Sequence, residues 1–138
     1  MELGGHGSFY TLNYERIILD IEYTKTSAQI GLAYYPKSTG MIPMWLPVSL
    51  NQMLKIIKNQ YVEFGVGLMM INDGIEFPDG RFVDNYSFDN LVFRLGYRLE
   101  SQSGKWVYRA GYTPIYLSSQ FGGNELIHWG GVSMGYRF

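Results

Sequence analysis

The sequence predicts an all-β fold: a single antiparallel up-and-down β-barrel of about eight strands that occupies residues 1–138 as one domain. Three observations predict it. Apolar and polar residues alternate with a period of two in seven segments. The chain is rich in Tyr, Phe and Gly, with 12, 8 and 17 of them, and only 17% of its residues are charged, against roughly 25% in ordinary soluble domains. The connections between the segments alternate between short and long.

The composition also limits the possible functions. Cysteine is absent, which excludes disulfides and thiolate metal sites, and the net charge of −1 gives no electrostatic case for nucleic acid. We expect no cofactor. No segment approaches the ~18 apolar residues of a membrane-spanning helix. Because Met1 leads directly into Glu2, without the basic and apolar segments of a signal peptide, we expect that an exported form has lost such a segment.

The first three predicted strands cover residues 9–18, 28–36 and 42–51. Their apolar faces carry, in order, Tyr10, Leu12 and Tyr14; Ile30, Leu32 and Tyr34; and Ile42, Met44, Leu46, Val48 and Leu50. Polar segments at 20–27 and 37–40 are predicted to be turns. The third strand contains Pro43 and Pro47. Since proline cannot donate a ladder hydrogen bond, we expect both near the strand's end or at a bulge.

The next three predicted strands cover residues 61–70, 90–100 and 105–116. Their apolar faces carry Val62, Phe64, Val66, Leu68 and Met70; Leu91, Phe93, Leu95, Tyr97 and Leu99; and Trp106, Tyr108, Ala110 and Tyr112. Short connections are predicted at 55–59 and 101–104, and long loops at 71–89 and 117–125. Such an asymmetry between the two ends is typical of transmembrane barrels.

The last predicted strand is 128–138. It places Val132, Met134, Tyr136 and Phe138 on one face and Trp129, Gly131, Ser133, Gly135 and Arg137 on the other. Bacterial single-chain membrane barrels have an even number of strands, so seven clear strands call for an eighth. We expect it at 2–8, where glycines supply a bend, and we expect Phe138 to close against this N-terminal region, near residues 2–14.

Glycines indicate which face points into the barrel. The strand glycines recur in the row that carries charge, where they leave room for long side chains inside a narrow eight-stranded barrel; on a solvent surface they would only weaken the strands. Both signs of charge are present in this row, as an interior ion-pair network requires, and arginine suits buried pairing. The predicted interior network consists of Glu15, Glu63, Arg94, Arg98, Glu100, Arg109 and Arg137. The apolar row then faces lipid. Alternation alone also fits a soluble, lipocalin-like ligand-binding barrel, which remains an alternative.

Three stretches carry a resemblance to a known class. They are E-L-G-G-x-G-x-x-Y-x-x-N-Y-E-R at 2–16, I-G-L-A-Y-Y-P at 30–36 and W-G-G-V-S-M-G-Y-R-F at 129–138, with its terminal aromatic residue. The chain resembles small outer-membrane β-barrels of the OmpA-like kind from Gram-negative bacteria. The resemblance implies an outer-membrane location, contact with lipid and lipopolysaccharide, a monomeric state, and recognition of Val132, Met134, Tyr136 and Phe138 by the barrel-assembly machinery.

Candidate chemistry is sparse. Some outer-membrane barrels are lipid A hydrolases that use Ser, His and an acid, so His6 with Ser8, and His128 with Ser133 and Glu125, keep this function open as an alternative. No serine is firmly placed beside a histidine, and we expect no catalytic residues. The loop at 71–89 is acidic, but its spacing fits no EF-hand, so no metal site is predicted. The predicted function is a non-enzymatic barrel with a side-chain-filled interior, which serves anchorage or surface recognition.

Overall fold

Ten strands form one antiparallel sheet, and two further strands form a separate hairpin. The computed structural model describes residues 1–5, 9–36, 44–72, 75–76, 82–83, 86–119 and 123–138. The strands are β1 (Glu2–Gly4), β2 (Tyr10–Ile21), β3 (Thr24–Tyr34), β4 (Met44–Ile57), β5 (Gln60–Asn72), β6 (Ile75–Glu76), β7 (Phe82–Val83), β8 (Tyr86–Glu100), β9 (Trp106–Tyr112), β10 (Ile115–Ser119), β11 (Gly123–Ile127) and β12 (Gly130–Tyr136).

The sheet closes on itself as an eight-stranded barrel. Strands β1, β2, β3, β4, β5 and β8 follow one another around it, β9 with β10 fills the seventh position, and β11 with β12 fills the eighth. Strand β12 then pairs with β1, which completes the ring. Since every neighbouring pair is antiparallel, the topology is up-and-down, and the predicted fold class is confirmed.

The barrel closes through its shortest strand, β1. Leu3 pairs with Tyr10 of β2 and with Val132 of β12. Gly4 and Gly5 then adopt positive φ angles of 71° and 78°, which glycine tolerates without a Cβ penalty, and turn the chain toward β2. The predicted eighth strand therefore exists, but it ends at Gly4; residues 6–8 lie outside the described part of the chain.

The expectation that Phe138 closes the barrel is wrong. The β1–β12 ladder joins Glu2 to Ser133, Leu3 to Val132 and Gly4 to Gly131. Strand β12 ends at Tyr136, and Phe138 is 97% exposed beyond the ladder. The ladder with β1 involves residues 131–133 of β12, and Phe138 follows the last residue of that strand.

The end of the barrel with short connections, here called the turn end, is more regular than predicted. The predicted turn at 20–27 shortens to residues 22–23, because β2 continues to Ile21 and β3 begins at Thr24. Likewise β4 runs to Ile57, so the 55–59 connection shortens to two residues. Register shifts lie at Ile17/Leu19 and at Lys55/Ile57. A bulge breaks the period-two pattern without ending the strand, which explains both errors.

The opposite end, here called the loop end, also has longer strands than predicted. Strand β5 ends at Asn72 and β8 begins at Tyr86, with the β6–β7 hairpin between them, so only part of 71–89 is loop. Segment 117–125 likewise contains the end of β10 and the start of β11. The predicted strand 105–116 is interrupted at Thr113 and Pro114, between β9 and β10.

Pro47 lies in the fourth position of β4, near the strand's end as expected. The β3–β4 register is continuous from Thr24 to Ile30, opposite Val48, and resumes with Ala33 opposite Trp45. Pro47 lies in the gap, where its missing N–H removes a ladder donor. Pro43 is outside the described residues.

Two inward-facing glycines allow the backbones of strands β8 and β9 to approach each other closely. Gly96 and Gly111 pair directly. A Cβ on Gly111 would lie 2.8 Å from the Gly96 Cα and 2.9 Å from the Leu95 carbonyl oxygen, both of them backbone atoms. By contrast, a Cβ on Gly135 would meet only the Val107 Cβ, at 4.0 Å.

Gly111→Ala should therefore lower the free energy of unfolding by about 1–3 kcal/mol, because the methyl group forces two backbone segments apart. Gly135→Ala, a matched inward substitution with room for the methyl group, should change it by less than about 0.5 kcal/mol. Urea-induced unfolding of the refolded proteins measures both. Equal effects of the two substitutions would contradict the close approach at Gly111.

Candidate functional site

Charged side chains converge inside the barrel. Each of them lies on the row that alternation turns inward, whereas its chain neighbours lie on the exposed face. The carboxylates are Glu2, Glu15, Glu63 and Glu100, and the cations are Lys25, Arg94, Arg98, Arg109 and Arg137. All seven residues of the predicted network belong to this set, here called the interior network.

Arg98 lies at the centre of the network and is 1% exposed. Its Nη1 donates to both carboxylate oxygens of Glu15 at 3.0 Å, and its Nε donates to Glu100 Oε1 at 3.2 Å. The same Nη1 lies 3.8 Å from Glu63 Oε2. Three glutamates from three different strands thus share one guanidinium, whose planar fork of donors can serve several acceptors at once.

Arg109 joins the same carboxylates from strand β9. Its Nη2 donates to Glu15, its Nε lies 3.5 Å from Glu63 Oε2, and its Nη1 donates to the side-chain oxygen of Gln29 at 2.9 Å. Glu15 accepts a further hydrogen bond from Ser27 at 2.6 Å. Glu15 and Glu63 are therefore each paired with both Arg98 and Arg109.

Toward the loop end the network extends to Arg94 and Glu2. Arg94 Nη2 pairs with Glu2, and Arg94 Nη1 lies 3.5 Å from Glu63 Oε1. Glu2 also accepts a hydrogen bond from Asn13 Nδ2 at 2.8 Å. Sequence reasoning missed Glu2 because three residues are too few to show alternation, although its position opposite Ser133 places it on the inward row.

At the turn end, Glu100 pairs with two further cations besides Arg98. Arg137 Nη2 lies 2.8 Å from Glu100 Oε1, and Lys25 Nζ lies 3.2 Å from Glu100 Oε2. Lys25 also lies 4.9 Å above the ring centroid of Tyr61. Sequence reasoning missed Lys25 because segment 20–27 was assigned to a turn; extending the alternation of β3 back through Ser27 would have found it.

Toward the loop end, the interior contains an apolar cluster beside buried polar side chains such as Asn90 and Thr113. The buried cluster there consists of Ala33, Tyr35, Trp45, Met69, Ile71, Val92 and Ile115. Tyr35 ties it to the closing seam, because its hydroxyl accepts hydrogen bonds from the backbone amides of Phe9 and Tyr10 at 3.0 and 3.2 Å. The interior thus has an apolar plug near the loop end and the charge network below it. A cavity of about 520 Å³ lies beside the network at the turn end.

The outer face of the C-terminal strand carries the residues of the predicted assembly signal. Val132, Met134 and Tyr136 are each more than half exposed and point outward. Tyr136 makes an edge-to-face contact with Trp106, with ring centroids 5.1 Å apart. No helix in the described residues is long and apolar enough to cross a membrane, a result that does not bear on strands.

The candidate hydrolase residues do not meet. His128 is exposed and its Nδ1 contacts the Tyr112 hydroxyl, against whose ring it stacks at 6.0 Å. Ser133 lies on the inward row, opposite Arg109. Glu125 is exposed, and His6 and Ser8 lie outside the described residues. Among the residues that the structure describes, no three His, Asp or Glu side chains group as a metal site.

Arg98→Met should lower the free energy of unfolding by about 3–5 kcal/mol, because it leaves buried carboxylates without their shared cation. The control is Asp20→Asn. Asp20 is 61% exposed and lies 3.7 Å from Lys25, so its loss should cost less than about 1 kcal/mol. Urea unfolding at neutral pH measures the difference, and a loss under 1 kcal/mol for Arg98→Met would contradict a tightly paired network.

Comparison of this chain with protein-family models, with curated proteins and with solved structures finds no match. The interior network, the apolar plug and the outward apolar row are therefore the observations on which a function can be argued.

Proposed function

We propose that this protein is an integral outer-membrane β-barrel without enzymatic activity, which anchors its external loops for a structural or recognition role. The observation that carries the proposal is the distribution of polarity. Large apolar side chains are exposed on the outer face, while the charged residues Glu2, Glu63, Arg94, Arg98 and Glu100 are buried. This arrangement is the reverse of what water selects.

The outward apolar row continues around the barrel. On β5 and β8 alone, Phe64, Val66, Leu68, Leu95 and Tyr97 are 41–54% exposed. Monomeric soluble proteins rarely expose contiguous apolar surface beyond a few hundred Å². Lipid is the solvent that matches such a face, and a closed barrel is one of the two structures that satisfy every backbone group within it.

The interior argues against the soluble, ligand-binding alternative. A lipocalin-like barrel needs an apolar cavity that takes up a ligand. Here Glu63 and Arg98 are each 1% exposed in the middle of the barrel, and the apolar plug fills the space near the loop end. Burying these charges is favourable only as a paired network, which leaves the barrel centre filled by its own side chains.

The same filled interior supports a barrel that does not act as an open pore. The plug and the network both lie on the path between the two ends of the barrel.

The positions of the candidate hydrolase residues support the non-enzymatic proposal over the lipid A hydrolase alternative. His128 lies on the outer face and Ser133 lies on the inner row, so the two do not form a nucleophile–base pair.

Orientation and partners follow from the ends of the barrel. In transmembrane barrels the short turns are periplasmic and the long loops external. The loop end would then face outward, in contact with lipopolysaccharide, and would carry any recognition. Val132, Met134, Tyr136 and Phe138 would offer the C-terminal strand to the assembly machinery, and the protein would be a monomer. The OmpA-like resemblance of the sequence supports the same assignment.

Leu95→Arg tests the membrane-facing row. In a bilayer it should cost about 2–4 kcal/mol, because the arginine faces lipid near the middle of β8, whereas in water a substitution at a half-exposed position changes stability by less than about 0.5 kcal/mol. Heat-modifiable migration of the folded barrel in lipid vesicles measures folding, with Leu95→Phe as the matched control. Unimpaired folding of Leu95→Arg in vesicles, or full solubility of the parent protein without detergent, would sink the proposal.

Conductance across a planar lipid bilayer tests the filled interior. The reconstituted protein should show no stable stepwise current, because the plug and the network block the path. Trp45→Ala combined with Tyr35→Ala, which removes the two largest aromatic residues of the plug, should increase any leak. Steady channels of the parent protein would contradict the blocked path.

A further inference from the structure

Four neighbouring strands carry a glycine at the same level of the barrel wall. Gly96 of β8 pairs with Gly111 of β9, and Gly111 pairs with Gly131 of β12. Gly131 in turn pairs with Gly4 of β1. All four belong to the row that alternation turns inward. This part of the inner wall, here called the glycine row, therefore presents backbone without side chains to the barrel centre.

A small cavity of about 10 Å³ lies against the glycine row, inside the barrel. Its volume is about that of one water-sized sphere. Three glycines and three polar side chains are among the residues that line it: Gly96, Gly111, Gly131, Glu63, Arg109 and Thr113. The register explains why these side chains surround the glycines. Arg109 and Thr113 lie two residues before and after Gly111 on β9, and Glu63 pairs with Gly96 from β5.

Each of the three polar side chains has a buried atom without a hydrogen-bond partner among the described residues. These atoms are Thr113 Oγ1, Glu63 Oε2 and Arg109 Nε. Thr113 and Glu63 are each 1% exposed. Arg109 Nε lies 3.5 Å from Glu63 Oε2, which is longer than a good hydrogen bond. Since buried polar atoms are nearly always bonded to protein or to ordered water, three such atoms around one cavity point to a bound molecule.

The charges around the cavity restrict what it can bind. A metal cation would lie beside the guanidinium groups of Arg94 and Arg109, and an anion would lie beside the carboxylates of Glu2 and Glu63. The occupant must also accept a hydrogen bond from a nitrogen and donate one to a carboxylate oxygen. Water is neutral, both donates and accepts, and fits the volume; an organic molecule is too large for it.

We propose that the cavity binds a single water molecule. It accepts a hydrogen bond from Arg109 Nε, donates one to Glu63 Oε2 and shares a third with the hydroxyl of Thr113. The water connects Thr113 to the interior network and gives the second oxygen of Glu63 a partner at normal distance. Glycine at positions 96 and 111 keeps this space free of side-chain atoms. The inference rests on the cavity and its lining atoms, and it holds whether or not the barrel lies in a membrane.

Oxygen-17 magnetic relaxation dispersion tests the proposal, because it counts water molecules held inside the folded protein and does not detect exchanging hydroxyl protons. Thr113→Val removes one partner of the water and leaves a side chain of similar shape. The detergent-folded variant should hold one water fewer than the parent protein. Thr113→Ser, which retains the hydroxyl, is the matched control and should not lower the count. Equal counts for the parent and Thr113→Val would overturn the proposal.

Stability gives a second readout with opposite signs for the two possibilities. If the hydroxyl binds the water, Thr113→Val should raise the equilibrium constant of unfolding roughly three- to tenfold, because a hydrogen bond is lost. If the hydroxyl has no partner, its burial is unfavourable and valine should leave that constant unchanged or lower it. Urea unfolding in detergent measures the constant. A Thr113→Val variant as stable as the parent, or more stable, would contradict the bound water.

A crystal structure of the parent protein supplies a third readout that requires no variant to fold. Electron density for one water within about 3.2 Å of both Thr113 Oγ1 and Glu63 Oε2 is the expected result. Crystals soaked in bromide or rubidium salts should show no anomalous peak there. An ion at this position, or a direct hydrogen bond from the Thr113 hydroxyl to Glu63, would overturn the proposal.

Discussion

The arginine and glutamate side chains inside the barrel must satisfy one another, and the rest of the structure depends on this constraint. A charge moved from water into a protein interior loses several kcal/mol of solvation, which only close, multiple pairing recovers. Arg98 meets this requirement by serving Glu15, Glu63 and Glu100 together. The pairing is possible only if strands far apart in sequence lie around one narrow axis, so the network and the closed barrel require each other.

The closing seam shows this mutual dependence in a single strand. Strand β1 has only three residues, yet it completes the ring and also carries Glu2, the carboxylate that pairs with Arg94. Removing β1 would open the wall and leave a buried guanidinium short of a partner. Tyr35, a residue of the apolar plug, adds a third link. Its hydroxyl accepts hydrogen bonds from the backbone amides of Phe9 and Tyr10, where the chain enters β2. Wall, network and plug therefore meet at one seam.

Alternation made most of the fold predictable. Where strands are regular, as on β5 and β8, the period of two identifies the inward residues, because neighbouring side chains must point to opposite faces. Prediction failed where the period breaks. Bulges near Ile17 and Lys55 hid the true strand ends, and the brevity of β1 hid Glu2. Lys25 was missed because its polar segment, 20–27, has the composition of a turn.

The pairing of the charges was not predictable, because it depends on how the strands are staggered around the ring. Sequence assigns Glu63 and Arg109 to the inward row, but the register of β5, β8 and β9 decides that they lie 3.5 Å apart. Patterns along one strand carry no information about where its neighbour ends.

The most direct test of the account is the accessibility of spin labels along β8 in lipid bilayers. Single cysteines at positions 91–99 can be labelled without background, because the chain has no cysteine. The account predicts that labels replacing Leu91, Phe93, Leu95, Tyr97 and Leu99 collide readily with oxygen dissolved in lipid and little with a water-soluble nickel complex. The label at Val92, on the inward row, should be shielded from both. Strong collisions of the nickel complex with the label at Leu95 would contradict a lipid-facing apolar row.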